Sequence, residues 1–219
     1  MNASGEREPL FIAHRAGNSL RTLRQAEAAG AGIVELDVFQ RGGRVEVRHS
    51  KTMGRLPLLW DRWRLERGWG RRLLLEDVLA AAAPTTRLMI DIKRQRPGLS
   101  ERIARTMDAR WPGREYLVCS QDWAAIDVFE GQKQATQVYS VGSAPALAQF
   151  LRRFPEGGLT HCSIHERFVD ARSAAALVAR TELVMSWPVN EPSRLAQLAS
   201  MGVQGMITDR LDLITAQTG

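Results

Sequence analysis

The stretch Ile33-Val34-Glu35-Leu36-Asp37-Val38 alternates aliphatic and acidic side chains. Successive side chains of a β-strand point to opposite faces, so one face of this stretch is aliphatic and the other carries Glu35 and Asp37. Such a strand needs apolar cover on one side and a polar environment on the other. The pattern therefore predicts a strand that lies between a hydrophobic layer and a polar site.

A second stretch, Leu88-Met89-Ile90-Asp91-Ile92-Lys93, repeats the alternation, with Asp91 and Lys93 on its polar face. Short apolar segments rich in β-branched residues recur along the chain, and a longer Ala- and Leu-rich amphipathic segment follows each of them. The predicted strands are Leu10–His14, Ile33–Phe39, Leu88–Lys93, Tyr116–Ser120, Gln137–Val141, Leu159–His165, Leu183–Val189 and Gly205–Thr208. The predicted helices are Ser19–Ala29, Glu76–Ala83, Ser100–Ala109, Asp122–Gly131, Pro145–Phe154, Asp170–Ala179, Pro192–Ser200 and Leu211–Gln217.

Eight strand-then-helix units in 219 residues predict an α/β fold, a single (β/α)8 TIM barrel domain over residues 1–219. The alternative is a doubly wound parallel sheet, which usually has a glycine-rich turn after its first strand. His14-Arg15-Ala16-Gly17 is not such a turn. If the aliphatic strand faces pack on outer helices, the acidic faces project into the barrel mouth, where this fold holds its active site.

Composition places the chain among ordinary globular proteins, with 44% hydrophobic and 25% charged residues. No apolar run approaches the roughly 18 residues of a membrane span, and Met1–Pro9 lacks the apolar region of a signal peptide, which predicts a cytoplasmic protein. Cys119 and Cys162 are expected to be reduced core residues. The net charge of +6 suits nucleic acid, an anionic membrane or an anionic substrate, and composition alone does not choose among them.

Most of the net charge comes from one segment. Residues 40–49 read as a hairpin extension of the second strand, and residues 51–72 then show no clear period, which predicts a long loop over the active-site face. The loop carries seven basic and two acidic residues together with Trp60, Trp63 and Trp69. This composition fits either a solvated lid or a peripheral contact with an anionic membrane. Nucleic acid is not expected as a partner, because the basic residues form one short loop rather than a groove.

Three carboxylates are expected to converge at the barrel mouth, namely those of Glu35, Asp37 and Asp91. Grouped carboxylates that lose hydration repel one another and need a counter-charge. A ligand set made only of oxygen atoms points to a hard cation, Mg²⁺ or Ca²⁺, rather than to zinc. The sequence therefore predicts one divalent cation as cofactor.

The charges around this site suit a phosphodiester. Three carboxylates, one divalent cation, Arg15 and Lys93 sum to about +1, which matches the single negative charge of a phosphodiester. The cations would bind its non-bridging oxygens. His14 and His49 have side chains whose ordinary pKa lies near 6.5, so they could serve as general acid and general base, in an order that the sequence leaves open.

Several short motifs occur in order between about residues 10 and 210. They are His14-Arg15-Ala16-Gly17, Glu35-Leu36-Asp37, His49, Asp91-Ile92-Lys93, Trp187-Pro188-Val189-Asn190 and Gly202-Val203-Gln204-Gly205-Met206-Ile207-Thr208-Asp209. Together they resemble the motifs of the glycerophosphodiester phosphodiesterase family, within the PLC-like phosphodiesterase superfamily of TIM barrels. The resemblance implies cleavage of a small-molecule glycerophosphodiester to a glycerol phosphate and an alcohol.

The resemblance also implies roles for individual residues. These are catalysis by His14 and His49, metal binding by Glu35, Asp37 and Asp91, phosphate contacts by Arg15 and Lys93, and a substrate-pocket wall at Trp187. His165 and Glu166, near the end of the sixth predicted strand, are further candidates for substrate contact.

The chain departs from the family pattern at or beside three of these motifs. Ser50 follows His49 where the family has Asp. Gly17-Asn18-Ser19-Leu20 stands where the family has Pro-Glu-Asn-Thr. Asp91 stands where the family has Glu, and similar enzymes of the venom phospholipase D type, which transfer the phosphoryl group to a neighbouring substrate hydroxyl, also have Asp. Two alternatives therefore stay open: a phospholipase D-type enzyme that gives a cyclic or free phosphate from lysophospholipids at a membrane surface, and a catalytically silent phosphodiester-binding barrel.

Overall fold

A computed structural model describes residues 9–49, 51–52, 58–61, 64–67, 72–93, 96–158 and 160–218. Within 51–67 and at 217–218 it describes the backbone alone. The described strands are β1 (Leu10–Ala13), β2 (Ile33–Arg41), β3 (Arg44–Val47), β4 (Lys51–Thr52), β5 (Leu58–Asp61), β6 (Arg64–Arg67), β7 (Arg87–Ile92), β8 (Tyr116–Ser120), β9 (Ala135–Val141), β10 (Thr160–His165), β11 (Thr181–Trp187) and β12 (Gly205–Thr208). The described α-helices are α1 (Leu20–Ala28), α2 (Leu75–Ala81), α3 (Leu99–Arg110), α4 (Trp123–Asp127), α5 (Ala144–Arg153), α6 (Ala171–Val178), α7 (Pro192–Ser200) and α8 (Leu211–Thr218).

Eight parallel strands close into a barrel. Neighbours follow the order β1, β12, β11, β10, β9, β8, β7, β2, and β2 pairs with β1 to close the ring. Strand β3 turns back after Gly42 and Gly43 and pairs antiparallel with the outer half of β2, as the hairpin prediction required. The predicted (β/α)8 TIM barrel is confirmed, and each predicted barrel strand lies within two residues of the observed one at both ends.

The alternation of side chains along the strands creates two apolar layers. Val34 and Leu36 of β2 and Ile90 of β7 belong to the layer between the barrel and its helices. The alternate face points into the barrel, where a smaller cluster fills the interior below the mouth. Its members are Ile12, Ile33, Met89, Leu117, Cys119, Val138, Met185 and Ile207. Glu35 and Asp37 of β2 and Asp91 of β7 continue the inward-facing rows that Ile33 and Met89 begin.

Helix α4 is shorter than predicted. It ends at Asp127 rather than at Gly131, because the chain continues in turns closed by i→i−3 hydrogen bonds. In these turns, Phe129 N donates to Ile126 O at 3.0 Å and Glu130 N donates to Asp127 O at 3.1 Å. Such bonds tighten the end of a helix into 3₁₀ geometry. The other helices start and end within two residues of the predicted limits.

The prediction of a loop without secondary structure over 51–72 is wrong for its described part. Strands β4, β5 and β6 form a separate antiparallel sheet. These strands have the sequences Lys-Thr, Leu-Leu-Trp-Asp and Arg-Leu-Glu-Arg, which show no sustained alternation of the kind on which a sequence-based strand assignment depends. The side chains of Trp60, Trp63 and Trp69 lie outside the described part of the chain, so the expected membrane contact at 51–72 stays a prediction.

Two smaller features complete the fold. Cys119 and Cys162 are both buried and unpaired, as expected. Among the helices that the structure describes, none combines the length and the apolar character that crossing a bilayer demands.

Candidate active site

A pocket of about 300 Å³ opens at the carboxyl ends of the barrel strands. This volume is at the small end of the roughly 300–1,000 Å³ of small-molecule sites. Seven of the residues that the sequence singled out contribute to its lining: His14, Arg15, Glu35, His49, Asp91, Lys93 and Trp187. The structure thus brings together positions separated by up to 173 residues in the sequence, and the roles assigned to them stay predictions.

Strands β2 and β7 place three carboxylates together. The two strands pair in register, with Asp37 opposite Asp91, and Glu35 precedes Asp37 by two residues on the same face. Oxygen atoms of all three side chains lie within 4.8 Å of one another. This close grouping is the arrangement expected of a site for a hard cation.

Asp37 differs from the expectation that it would project into the mouth. Its side chain is fully buried behind the pocket, where Lys93 Nζ forms an ion pair with Asp37 Oδ1 at 2.6 Å. Asn18 binds the same residue twice, because Asn18 Nδ2 donates to Asp37 Oδ2 at 2.6 Å and Asn18 Oδ1 accepts from Asp37 N at 2.8 Å. Burial would raise the pKa of Asp37, but the charge of Lys93 and these hydrogen bonds outweigh it and lower the pKa.

Lys93 is held by two of the carboxylates, and its proposed contact with a phosphate stays a prediction. It forms ion pairs with Asp37 and with Asp91. Burial would lower the pKa of Lys93, yet the charges of Asp91, Asp37 and Glu35 together raise it. The side chain is therefore a fixed positive charge at the edge of the acidic cluster.

Glu35 has the least compensated charge in the cluster. Arg15 N donates to Glu35 Oε2 at 2.5 Å, and Glu35 forms no ion pair with any residue that the structure describes. Burial and the neighbouring charge of Asp37 raise the pKa of Glu35 well above its ordinary value. Arg15 adopts a left-handed backbone conformation, with φ of 55°, and such strain in a non-glycine residue is often found at functional sites.

His14 belongs to a hydrogen-bonded chain that joins three strand ends. His14 Nδ1 lies 2.8 Å from Asp209 Oδ1, and Asn190 Nδ2 donates to Asp209 Oδ2 at 2.9 Å. These hydrogen bonds lower the pKa of Asp209 to about 2, and the bond with His14 has the largest effect. An ionised carboxylate can only accept, so His14 carries its proton on Nδ1 and has Nε2 available for proton exchange.

His165 and Glu166 do not contribute to the described pocket lining. The His165 ring packs against Trp187, with ring centroids 4.7 Å apart. Glu166 Oε2 lies 3.6 Å from Arg194 Nε, and Arg194 Nη2 donates to the Glu166 carbonyl oxygen at 2.5 Å. Their proposed contact with substrate stays a prediction.

Sequence reasoning missed several residues around the pocket. Asp209 and Asn190 were noted only as parts of motifs, and Asn18 only as a departure from one. Their position at strand ends, the criterion that selected His14, could have identified Asp209 and Asn190. Three uncharged residues of the pocket also escaped notice: Gln121, Ser140 and Ser163. Nothing in the local pattern of the serines distinguishes them from packing residues.

Solved structures resemble this chain over almost its whole length. A phosphodiesterase of Oleispira antarctica, solved in complex with the product sn-glycerol-3-phosphate, superposes with a TM-score of 0.74 at 20% identity and covers 96% of this chain and 97% of its own. Glycerophosphodiester phosphodiesterases of Thermotoga maritima and Parabacteroides distasonis superpose with TM-scores of 0.72 and 0.73 at 17% and 19% identity. They cover 97% and 98% of this chain and 99% and 100% of their own.

The chain has the glycerophosphodiester phosphodiesterase fold. The sequence matches no protein-family model and no curated protein. In this glycerophosphodiester phosphodiesterase fold, the pocket, the acidic cluster and both histidines lie at the carboxyl ends of the strands, the face that carries catalysis in TIM barrels.

Proposed function

We propose that the protein is a metal-dependent phosphodiesterase that cleaves glycerophosphodiesters to a glycerol phosphate and an alcohol. The observation that carries this proposal is the convergence of three carboxylates within 4.8 Å, beside two histidines and two cations that line one small pocket. A site with this composition can bind a singly charged phosphodiester and exchange protons on two sides of it.

The residues present fit a divalent cation. All three donors are carboxylates, and Glu35 is buried with no ionic partner among the described residues. Glu35, Asp37 and Asp91 would hold Mg²⁺ or Ca²⁺, both of which prefer oxygen ligands. When bound, such an ion supplies Lewis-acid polarisation of the phosphoryl group and offsets the charge that develops during displacement.

The two histidines divide the proton transfers. His14 lines the pocket while Asp209 accepts the hydrogen bond from Nδ1 and orients the ring, so His14 can take up and return a proton at Nε2. His49 lines the same pocket and serves as the second acid or base. In-line displacement needs one group beside the attacking oxygen and one beside the leaving oxygen.

The remaining charges bind and orient the phosphate. Arg15 follows His14 at the end of β1, and its side chain lies in the pocket near Asp37, with Arg15 Nε 3.8 Å from Asp37 Oδ2. Lys93 holds Asp37 and Asp91 in place and adds a positive charge next to the phosphoryl oxygens. The proposed glycerol moiety rests on the likeness to the Oleispira antarctica phosphodiesterase, which was solved with sn-glycerol-3-phosphate.

Replacement of the histidines tests the proposal. His14→Ala and His49→Ala should each lower the turnover of bis(4-nitrophenyl) phosphate by on the order of a hundredfold or more, since acid–base catalysis contributes about 10²–10⁴-fold. Chelation by EDTA should have a similar effect, reversed by added Mg²⁺ or Ca²⁺. His161→Gln is the matched control, because His161 lies at the far end of β10 from the pocket. Full activity of either alanine variant, with unchanged circular dichroism, would contradict the proposal.

A further inference from the structure

The pocket has two sides of opposite character. All its described charged side chains and both histidines come from β1, β2, β3 and β7 or the residues that directly follow them. The remaining strands contribute uncharged groups. We call four of these the uncharged wall: Gln121, Ser140, Ser163 and Trp187.

The two serines of the uncharged wall lie side by side. Ser140 of β9 and Ser163 of β10 are register partners, and both are almost completely buried as whole residues. Ser140 lies two residues after Val138, which points into the barrel, so its side chain lies on the same inner face. The two hydroxyls therefore form a pair just above the apolar floor of the pocket.

These hydroxyls differ from those of other buried serines in the barrel. Ser120 Oγ donates to Ile92 O at 2.7 Å and Ser186 Oγ donates to Ile164 O at 3.2 Å, so each satisfies its hydroxyl within the sheet. Ser140 Oγ and Ser163 Oγ make no such bond within the described ranges, and both residues line the pocket. Buried hydroxyls are normally hydrogen-bonded, so this pair is suited to an oxygen-rich ligand.

The indole of Trp187 adds an unused donor. Its Nε1 is buried and has no hydrogen-bond partner among the described residues. One side of Trp187 is packed by His165, and the residue lines the pocket beside the serines. A buried tryptophan N–H usually finds an acceptor, and an alcohol oxygen in the pocket would provide one.

The same wall is poorly suited to a cationic group. Quaternary ammonium groups are recognised by the open faces of several aromatic rings or by carboxylates. The second described aromatic ring of the pocket, Phe39, already has the guanidinium of Arg48 4.2 Å from its centroid. The described carboxylates of the pocket are Glu35 and Asp91, which belong to the proposed metal site.

We infer that the uncharged wall is a subsite for an uncharged, hydroxylated alcohol moiety, so that the substrate is a phosphodiester of glycerol with a polyol rather than with choline or ethanolamine. This inference rests on the proposed function and names the second alcohol of its substrate. Ser140, Ser163 and Trp187 act as specificity-determining residues through hydrogen bonds to the hydroxyl groups of that alcohol.

Binding and turnover of two matched compounds test the inference. Glycerophosphoglycerol and glycerophosphocholine share the glycerol phosphate and differ only in the second alcohol. Isothermal titration calorimetry with the full-length His14→Ala protein and Mg²⁺ should show at least about tenfold tighter binding of glycerophosphoglycerol. Two variants should each reduce this preference by about three- to tenfold, which corresponds to the loss of one or two hydrogen bonds. One is Trp187→Phe, and the other is the double variant Ser140→Ala with Ser163→Ala. His161→Gln should leave the preference unchanged.

The outcomes separate the subsite from the proposed function. Equal binding of both compounds, tighter binding of glycerophosphocholine, or no detectable binding of either would overturn the subsite, and so would a preference that survives in both wall variants. Tighter binding of glycerophosphocholine would indicate a cation–π contact with Trp187 instead. If the preference is found as expected but otherwise unmodified protein turns over no phosphodiester, the subsite stands and the proposed function falls.

Discussion

The buried carboxylate of Glu35 should lower the stability of the folded protein while it serves the proposed site. Its carboxylate is 3% exposed, lies beside Asp37 and Asp91, and receives one hydrogen bond from the backbone of Arg15. A buried charge without an ionic partner destabilises the folded state. Such a group is retained where a bound cation or a reaction requires it.

Replacement of Glu35 by Gln should stabilise the metal-free protein by about 1 kcal/mol or more near pH 7, measured by urea unfolding, while it lowers phosphodiesterase activity severely. The raised pKa determines the pH dependence of this gain. Because the pKa of Glu35 is raised in the folded state, the carboxyl group destabilises the fold at pH values above its pKa in the unfolded chain, which is about 4.3. Below about pH 4 the group is protonated in both states, so the gain in stability from Glu35→Gln should vanish there.

Glu46→Gln is the matched control for this prediction. Glu46 is also buried, but Arg48 Nε donates to its Oε2 at 3.1 Å, so removal of its charge weakens the compensation of a buried cation. Glu46→Gln should therefore destabilise the protein. If both variants lose stability alike, the account of Glu35 is incorrect.

Asp209 is expected to act through His14. Asp209→Asn should lower kcat by on the order of 10- to 1,000-fold with little change in KM, because a neutral amide replaces the carboxylate that accepts the hydrogen bond from His14 Nδ1 and orients the ring. The depressed pKa of about 2 also stabilises the folded state above about pH 4, and this contribution should be lost as pH falls from about 4 to 2. The variant should lack that part of the pH dependence. Asp212→Asn, on the exposed surface beside Arg210, serves as control and should retain activity.

At the residue scale, the sequence predicted the positions of side chains better than their contacts. Alternation along β2 and β7 placed Glu35 and Asp91 on the inner face, because a period of two is a local property. The contact between His14 and Asp209 joins residues 195 positions apart and depends on closure of the ring. No local pattern could show it, nor could one show that Asp37 lies behind the pocket.

Among the elements, the turn between β1 and α1 packs closely on β2. A Cβ on Gly17 would lie 2.7 Å from Leu36 Cβ and 3.1 Å from Glu35 O, so only glycine lets this turn approach β2 so closely. The turn carries Arg15 and Asn18, which bind Glu35 and Asp37. Its position therefore determines how two of the three carboxylates are held.

Gly17→Ala should destabilise the protein by about 1–3 kcal/mol, the usual result of overpacking a buried position, and should also weaken metal-dependent activity. Urea unfolding and activity measurements on the same preparations would check both effects. Gly32→Ala is the matched control, because a Cβ there meets nothing within 4 Å and Gly32 has no positive φ. A control variant as damaging as Gly17→Ala would show that the close approach to β2 is not the cause.

Element prediction succeeded in the barrel and failed for the short segments of 51–67. In the barrel strands one face is aliphatic and the alternate positions point into the barrel, a pattern that is easily read. Strands β4 to β6 have two to four residues each and pair only with one another, which leaves no periodic signal. The overall order of strands and helices predicted the fold because the barrel repeats one unit eight times.

At the scale of the whole molecule, closure of the barrel brings the residues of the proposed site together. Strand β1 pairs with both β12 and β2, so His14 lies between Asp209 on one side and Glu35 and Asp37 on the other. The uncharged wall lies across the same mouth on β9, β10 and β11 or directly after β8. The site is therefore assembled from both ends of the described chain.

A bound cation should stabilise the whole barrel, because it binds the folded acidic cluster and not the unfolded chain. Millimolar Mg²⁺ or Ca²⁺ should raise Tm by several degrees, as ligand binding well above the dissociation constant stabilises a protein by about 1–3 kcal/mol. Asp91→Asn should reduce this shift. An equal shift in that variant would place the cation elsewhere on the molecule.

Phosphorus NMR of the protein incubated with glycerophosphoglycerol, with and without a divalent cation, tests the central claim most directly. The account predicts conversion of the phosphodiester signal to that of a glycerol phosphate monoester, dependent on Mg²⁺ or Ca²⁺ and lost in His14→Ala. A cyclic phosphate signal instead would show that a substrate hydroxyl, rather than water, attacks the phosphorus. No conversion of this or any other glycerophosphodiester with either cation, or undiminished conversion in EDTA, would contradict the account.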